Sequence, residues 1–199
     1  MPNWCNNRLK IQGTKEDLLA FVNDGMRMAM TTITSFDTPE TRFNKYKEVT
    51  DLNEIDAFDK LPFPNLSAWL PMPKEIVTED NPNWWGWALG NWGCKWDVEI
   101  LYYNYVEGCE DNDDFMIILN YDTAWSPNNE WVRNVGEKYP NLYFELDAYE
   151  PGCQIEFGCI CEDGNYCECE PDQDWIDDWK WNDDEEEEVE TDDSCLPQY

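Results

Sequence analysis

Charged and bulky residues alternate over Arg8-Leu9-Lys10-Ile11-Gln12, at the end of residues 3–12. A period of two predicts a strand, and Gly13 marks its stop. The period then changes. Thr14 with Asp17 three residues on is an N-terminal cap signal. Leu18, Leu19 and Val22 share a helical face, and Gly25 stands where that helix is expected to end. Residues 26–60 are polar and mixed, with helix-compatible fragments such as 44–49. Residues 61–83 are crowded with Pro and Asn around Leu66, Trp69, Leu70 and Met72 and predict an extended loop. Residues 84–94 set four Trp among three Gly, which predicts a short helix or tight turn packed under rings. Period two returns over Trp96, Val98, Ile100 and Tyr102. Residues 107–114 then read as a hairpin connection, and Phe115, Ile117, Leu119 and Tyr121 as the next strand. Ser126-Pro127 opens a helix whose apolar face is Trp131, Val132, Val135 and Tyr139. Pro140-Asn141 stops it, and Leu142, Phe144, Leu146 and Ala148 alternate as a last strand.

The order is strand, helix, insertion, strand, strand, helix, strand. That is the βαββαβ pattern of a ferredoxin-like sandwich, an α+β fold with helices on one face of an antiparallel sheet. Residues 1–150 form this domain, interrupted by the insertion at about 26–83. After Pro151-Gly152 the character changes to a Cys-rich hairpin extension over 151–170. An acidic, Trp-containing tail follows over 171–199.

Composition narrows the chemistry. With 42% hydrophobic residues and 12 Trp among 199 residues, a packed core is within reach. The net charge is -31, from 44 acids against 13 bases, with no His. Such a surface repels phosphates and speeds encounter with a basic partner, so direct nucleic-acid binding is not expected. The first dozen residues hold no apolar core of leader type, and the longest purely apolar run, 115–119, is far too short for a bilayer. Nine Cys, an odd number, fit reduced thiols in the cytoplasm better than a disulfide framework. Catalysis finds little support. There is no imidazole base, no Gly-rich phosphate loop and no nucleophile elbow. The acidic stretch 110–114 could hold Mg²⁺ or Ca²⁺ but lacks the spacing of a calcium loop, and a solvated hairpin tip is the better reading.

Three segments carry a resemblance: Met1-Pro2-Asn3-Trp4-Cys5-Asn6-Asn7, Asn91-Trp92-Gly93-Cys94-Lys95-Trp96-Asp97 and Thr123-Ala124-Trp125-Ser126-Pro127, with Glu150 and Gly152 after the last strand. Together they resemble the YubB-type ferredoxin-like proteins of phages and plasmids, over about residues 1–160 apart from 26–60. The resemblance implies a ferredoxin-like fold and a mobile-element origin, and brings no activity with it. Cys94 departs from the pattern, which more usually has Thr there. The Cys hairpin and the acidic tail look like additions.

Three groups are candidates for function. Trp4, Asn7, Asn91, Trp92, Lys95, Trp96, Asp97 and Trp125 could form a pocket in which rings stack on a nucleotide or peptide and amides read its edges. The same residues could equally be a core plug, with ring N–H groups satisfied by Asn or Asp and with Lys95 paired to Asp97. The second group is Cys159, Cys161, Cys167 and Cys169. A three-residue turn would gather all four thiols on one face as a structural Zn²⁺ site, whereas a two-residue Asp-Gly turn would put opposing thiols out of register. Zinc usually takes CxxC rather than CxC, so free thiols carry more weight than metal. The third group is the tail: Trp175, Asp177, Asp178, Trp179, Trp181, Asp183, Asp184, Glu185 and Glu186. Trp175 and Trp179 would share a helical face. Large exposed apolar residues among acids suit a partner-binding segment, and the alternatives are a solvating tail or Trp docked back on the body.

The function these features suggest is non-enzymatic. An acidic mimic of nucleic acid would inhibit a host nuclease or nucleic-acid-binding defence complex by occupying its basic surface. The alternative is a small-ligand or nucleotide-binding module built on the Trp/Asn group.

Overall fold

The computed structural model describes residues 3–31, 48–52, 64–78, 81–98, 100, 102–109 and 112–180. Eight strands and four helices alternate along the described chain. They are β1 (Trp4–Gly13), α1 (Lys15–Thr31), the two-residue pair β2 (Val77–Thr78) and β3 (Asn81–Pro82), α2 (Trp84–Asn91), β4 (Tyr102–Cys109), β5 (Asn112–Ala124), α3 (Asn129–Lys138), β6 (Tyr143–Glu150), β7 (Ile155–Glu162) and β8 (Asn165–Cys169), with a last helix α4 over 173–180. Six strands form one antiparallel sheet in the order β4-β5-β1-β6-β7-β8. The first four strands in that order, β4-β5-β1-β6, are the sheet of a ferredoxin-like fold, split as the sequence predicts. The Cys-rich hairpin adds β7 and β8 to the same sheet.

The register explains the core. Leu9 lies between Leu119 and Leu146, and Ile11 between Ile117 and Phe144. These side chains point to one face, where Leu18, Phe21 and Val22 of α1 and Trp131, Val132 and Val135 of α3 meet them. Phe21 is the hub: it stacks on Trp69 at 4.7 Å and meets Tyr139 and Phe144 edge-on. Thr14 caps α1 by accepting the Asp17 N–H at 3.2 Å. The helix does not stop at Gly25 but runs to Thr31. Gly25 lies mid-helix because the Trp69 ring packs against it, so that a Cβ there would stand 2.6 and 2.8 Å from ring atoms Cε2 and Cη2.

Two boundaries differ from the expected ones. The alternation at Trp96–Tyr102 is not a strand. There Gly93 takes φ 85°, and the Asp97 carboxylate accepts the N–H groups of Ser67 and Val98, which folds residues 92–98 into a loop. Val98 and Ile100 are buried as plugs from that loop, and β4 begins only at Tyr102. The helix α3 starts at Asn129 rather than at Ser126-Pro127, because the Ser126 hydroxyl is committed to the Gly93 carbonyl at 2.7 Å.

Candidate functional site

The three segments that carry the sequence resemblance meet at one end of the sheet, in a network of buried polar contacts. Asn7 points inward from β1. Its amide donates to the Cys5 carbonyl (2.7 Å), the Thr123 hydroxyl (2.9 Å) and the Tyr121 carbonyl (3.4 Å). The Thr123 hydroxyl donates to the Ser126 carbonyl at 2.7 Å, and the Ser126 hydroxyl donates to the Gly93 carbonyl. The Tyr121 hydroxyl donates to Asn128 Oδ1 at 2.9 Å. Glu150, buried, accepts the N–H groups of Gly152 and Cys153 at 2.8 and 2.7 Å and so closes the turn after β6. Asn3 packs on Gly152, where an added Cβ would stand 2.8 Å from Glu150 Oε1 and 3.1 Å from Asn3 Cγ. Burial pushes the Cys5 and Cys94 thiols, both enclosed here, up to about 12.

Of the Trp/Asn group, the structure therefore commits Asn7 to the fold. Trp92 is buried, and its ring N–H goes to the Leu70 carbonyl at 2.9 Å rather than to an Asn or Asp. The Asn91 side-chain amide bonds the Trp87 carbonyl one turn back in α2. Lys95 does not pair with Asp97. It stands 4.4 Å over the Trp96 ring, while burial raises the Asp97 carboxyl despite its two backbone donors. Trp4 (51% exposed), Trp96 (41%) and Trp125 (48%) remain at the surface. Trp125 holds φ 76° and is fixed by its N–H to the Asn3 carbonyl at 2.9 Å. The described depression, about 330 Å³, is lined by Gln12, Gly13, Asn141 and Tyr143, outside the group.

The Cys hairpin turns on two residues, Asp163 and Gly164, both at positive φ (51° and 74°). This is the Asp-Gly hairpin turn, and it sets the register Cys159↔Glu168, Ile160↔Cys167, Cys161↔Tyr166. Directly opposed residues share a face, so Cys159 and Cys161 are buried against α3 while Cys167 and Cys169 lie on the opposite, exposed face. The four thiols do not form a square. No cluster of three or more metal-ligating side chains occurs among the described residues. Burial raises Cys159 to about 12, and Cys161 and Cys169 are also raised.

The tail supplies the least expected feature. Residues 173–180 form α4, which lies on the face of the sheet opposite α1 and α3. Ile176 is 0% exposed, although it lies outside the main core. Asp172 enters the helix with its N–H on Asp147 Oδ1 (2.8 Å) and its carboxylate on Arg8 (2.6 Å). That contact with Arg8 holds the Asp172 carboxyl below its ordinary range. Arg8 also bridges to Asp147 and stands 5.0 Å over the Trp175 ring. Trp175 and Trp179 meet edge-on at 6.2 Å, as four-residue spacing on a helix requires. Lys180, the last described residue, bridges to Glu156 at 2.6 Å. Asp174, Asp177 and Asp178 face outward. Trp181, Asp183, Asp184, Glu185 and Glu186 lie outside the described residues. No signal in the sequence singled out Arg8, Asp147, Asp172 or Ile176, because they meet only through sheet register and a docked helix.

No described helix is long and apolar enough to cross a membrane. No curated protein matches the chain. Among solved structures, the chain is similar to the crystal structure of protein api92 from Yersinia pseudotuberculosis, with a TM-score of 0.48 and 9% identity, covering 86% of this chain and 99% of that one. Residues 104–194, from β4 through α4 and beyond, match the family model of the ferredoxin-like domain in Api92-like protein.

Proposed function

We propose that the chain is a non-catalytic binding protein that engages a basic protein surface through the acidic ridge of α4 and the residues after it. One observation carries the reading. Asp174, Asp177 and Asp178 are exposed on a helix whose other side is anchored by Ile176 and Asp172, so the tail presents charge in a folded geometry. The net charge of -31 favours fast encounter with a cationic groove and disfavours nucleic acid itself. Together with the resemblance to YubB-type proteins, this supports a phage or plasmid accessory protein that acts in the host cytoplasm. There it would block a nuclease or nucleic-acid-binding defence complex by standing in for phosphate. No cofactor is part of the proposal. The small-ligand reading weighs less, because Asn7, Trp92 and Asp97 already serve the fold and only Trp4, Trp96 and Trp125 are left to meet a ligand.

The test is a binding partner recovered from host lysate by the full chain and compared with the triple variant Asp174→Asn/Asp177→Asn/Asp178→Asn, at low and high salt. The proposal expects a basic nucleic-acid-binding protein whose recovery drops with neutralisation and with salt, and whose activity the chain inhibits. Equal recovery and inhibition by the neutral variant would remove the ridge from the mechanism.

A further inference from the structure

We infer that α4 is a latch: a separately opening element that covers the outer face of the sheet, swings about residues 170–172 and on opening frees Trp175 and Trp179. This goes beyond the binding function proposed above and holds whether or not the chain has a basic target.

Few contacts hold the helix to the sheet. Ile176 is the one fully buried apolar side chain on α4. The other named contacts to the sheet are polar and partly exposed: Asp172 to Arg8 and Lys180 to Glu156, with Lys180 shared at 3.7 Å by Asp177 of the helix itself. The Arg8 guanidinium and the Lys180 ammonium lie over the Trp175 and Tyr149 rings at 5.0 and 6.0 Å. The helices on the other face are held differently, by Phe21, Trp131 and their neighbours in the main core. Charge also works against docking. The sheet under and beside α4 carries Glu145, Asp147 and Glu156 against Arg8 and Lys10, so the outward-facing Asp174, Asp177 and Asp178 add negative charge beside carboxylates already there. The turns described for α4, residues 173–180, are too few to persist alone in water, so on undocking they lose their helix as well as their contacts.

The pivot is equally defined. The chain crosses β7 at Gly158, where a Cβ would stand 2.8 Å from the Pro171 nitrogen and 2.9 Å from the Cys169 carbonyl oxygen. Pro171 cannot rotate about φ, and the Asp172 N–H is held by Asp147. The connection is therefore clamped to the sheet while everything after Asp172 depends on the latch contacts. Segments with few buried apolar contacts and solvent-reachable hydrogen bonds open locally, well before global unfolding.

Hydrogen–deuterium exchange of the full chain, read on peptides spanning 173–180 and on peptides of β1 and β6, tests the inference. The amides of α4 are expected to exchange at least about a hundredfold faster than those of β1 and β6, as local opening predicts. Asp172→Asn, which removes the charge on Arg8 from the tail side, is expected to speed α4 about tenfold, the loss typical of one charge-assisted contact, while β1 and β6 stay unchanged. Ile176→Ala should do the same by removing the anchor. Trypsin offers a second reading, since Lys180 is the one Lys or Arg after Lys138. Both variants should hasten cleavage at Lys180. If α4 exchanges in step with β1 and β6, or if the variants accelerate all three segments together, α4 is an integral part of the fold and the latch is refuted.

Discussion

Gly25→Ala sets two opposing effects against each other at one atom. In a helix interior, alanine gains up to about 1 kcal/mol over glycine from propensity alone. Here the added methyl would stand 2.6 and 2.8 Å from Trp69 ring carbons, where nothing short of displacement makes room. Trp69 is poorly able to move. It is stacked on Phe21, meets Trp131 edge-on at 6.0 Å, and donates its ring N–H to the Phe21 carbonyl at 2.9 Å. Overpacking a fixed core group costs roughly 1–3 kcal/mol, so a net loss of about 1–2 kcal/mol is expected. With a urea m-value near 2 kcal/mol/M, the midpoint of unfolding should fall by about 0.5–1 M. Gly90→Ala in α2 is the matched control, because a Cβ there meets nothing within 4 Å. It should raise the midpoint by a few tenths of a molar, the propensity gain of roughly 0.5–1 kcal/mol with no steric term. A Gly25→Ala protein whose midpoint rises like that of Gly90→Ala would refute the claim that Trp69 is held in place.

Three further outcomes follow from the same geometry. Iodoacetamide at pH 8 should label exposed Cys167 and Cys169 before buried Cys159, whose thiol is pushed up to about 12; mass spectrometry showing Cys159 modified first would overturn the hairpin register. Asn7→Leu removes the two N–H groups that serve the Cys5 carbonyl and the Thr123 hydroxyl, and leaves the buried Cys5 carbonyl without its 2.7 Å donor, which should cost about 1–3 kcal/mol in urea unfolding; a neutral result would mean that the network at that end carries no stability. The pH dependence has two signs. Arg8 depresses Asp172, so its share of α4 docking is complete above the ordinary value of 3.8 and is lost as pH falls through the lower folded value, with α4 amides losing protection first in acid. Burial raises Asp97, so its ionisation weighs against folding as pH rises from 3.8 through the raised value, and Asp97→Asn should flatten that slope in unfolding curves measured between pH 3 and about 6.

What could be read from the sequence divides along physical lines. The strands β1, β5 and β6 and the helix α3 were legible because one buried face imposes a period of 2 or 3.6. Residues 96–102 misled for the same reason: Val98 and Ile100 are buried, but from a loop held by the Asp97 carboxylate, and burial pattern alone cannot separate the two. Gly25 reads as a terminus because a helical glycine usually marks one, while the real cause, the Trp69 ring, lies 44 positions away in the chain. The Cys hairpin hinged on one residue of turn length. Both turns were conceivable from Asp163-Gly164-Asn165, and only the positive φ pair at Asp163 and Gly164 settles which thiols face together. The tail helix was legible in its Trp spacing. Its seat was not, since Arg8 and Asp172 are separated by 164 residues.

The position of β1 has a consequence for how the chain comes to be folded. The first strand made is the one that joins the two halves of the sheet, with Leu9 seated between Leu119 and Leu146. The β4–β5 hairpin and the β6–β7–β8 meander can each assemble from neighbouring sequence, but they share no direct ladder. During synthesis β1 must wait for partners that emerge more than a hundred residues later, which places this fold among the slow, high-contact-order assemblies. Long insertions after α1 add little to that wait, because closure entropy grows only with the logarithm of length. The reverse also holds for any piece cut from the chain. A fragment of residues 104–194 carries both half-sheets and the latch but not the strand between them. It would leave β5 and β6 each with an open edge, and such a fragment is expected to aggregate rather than stand as a domain.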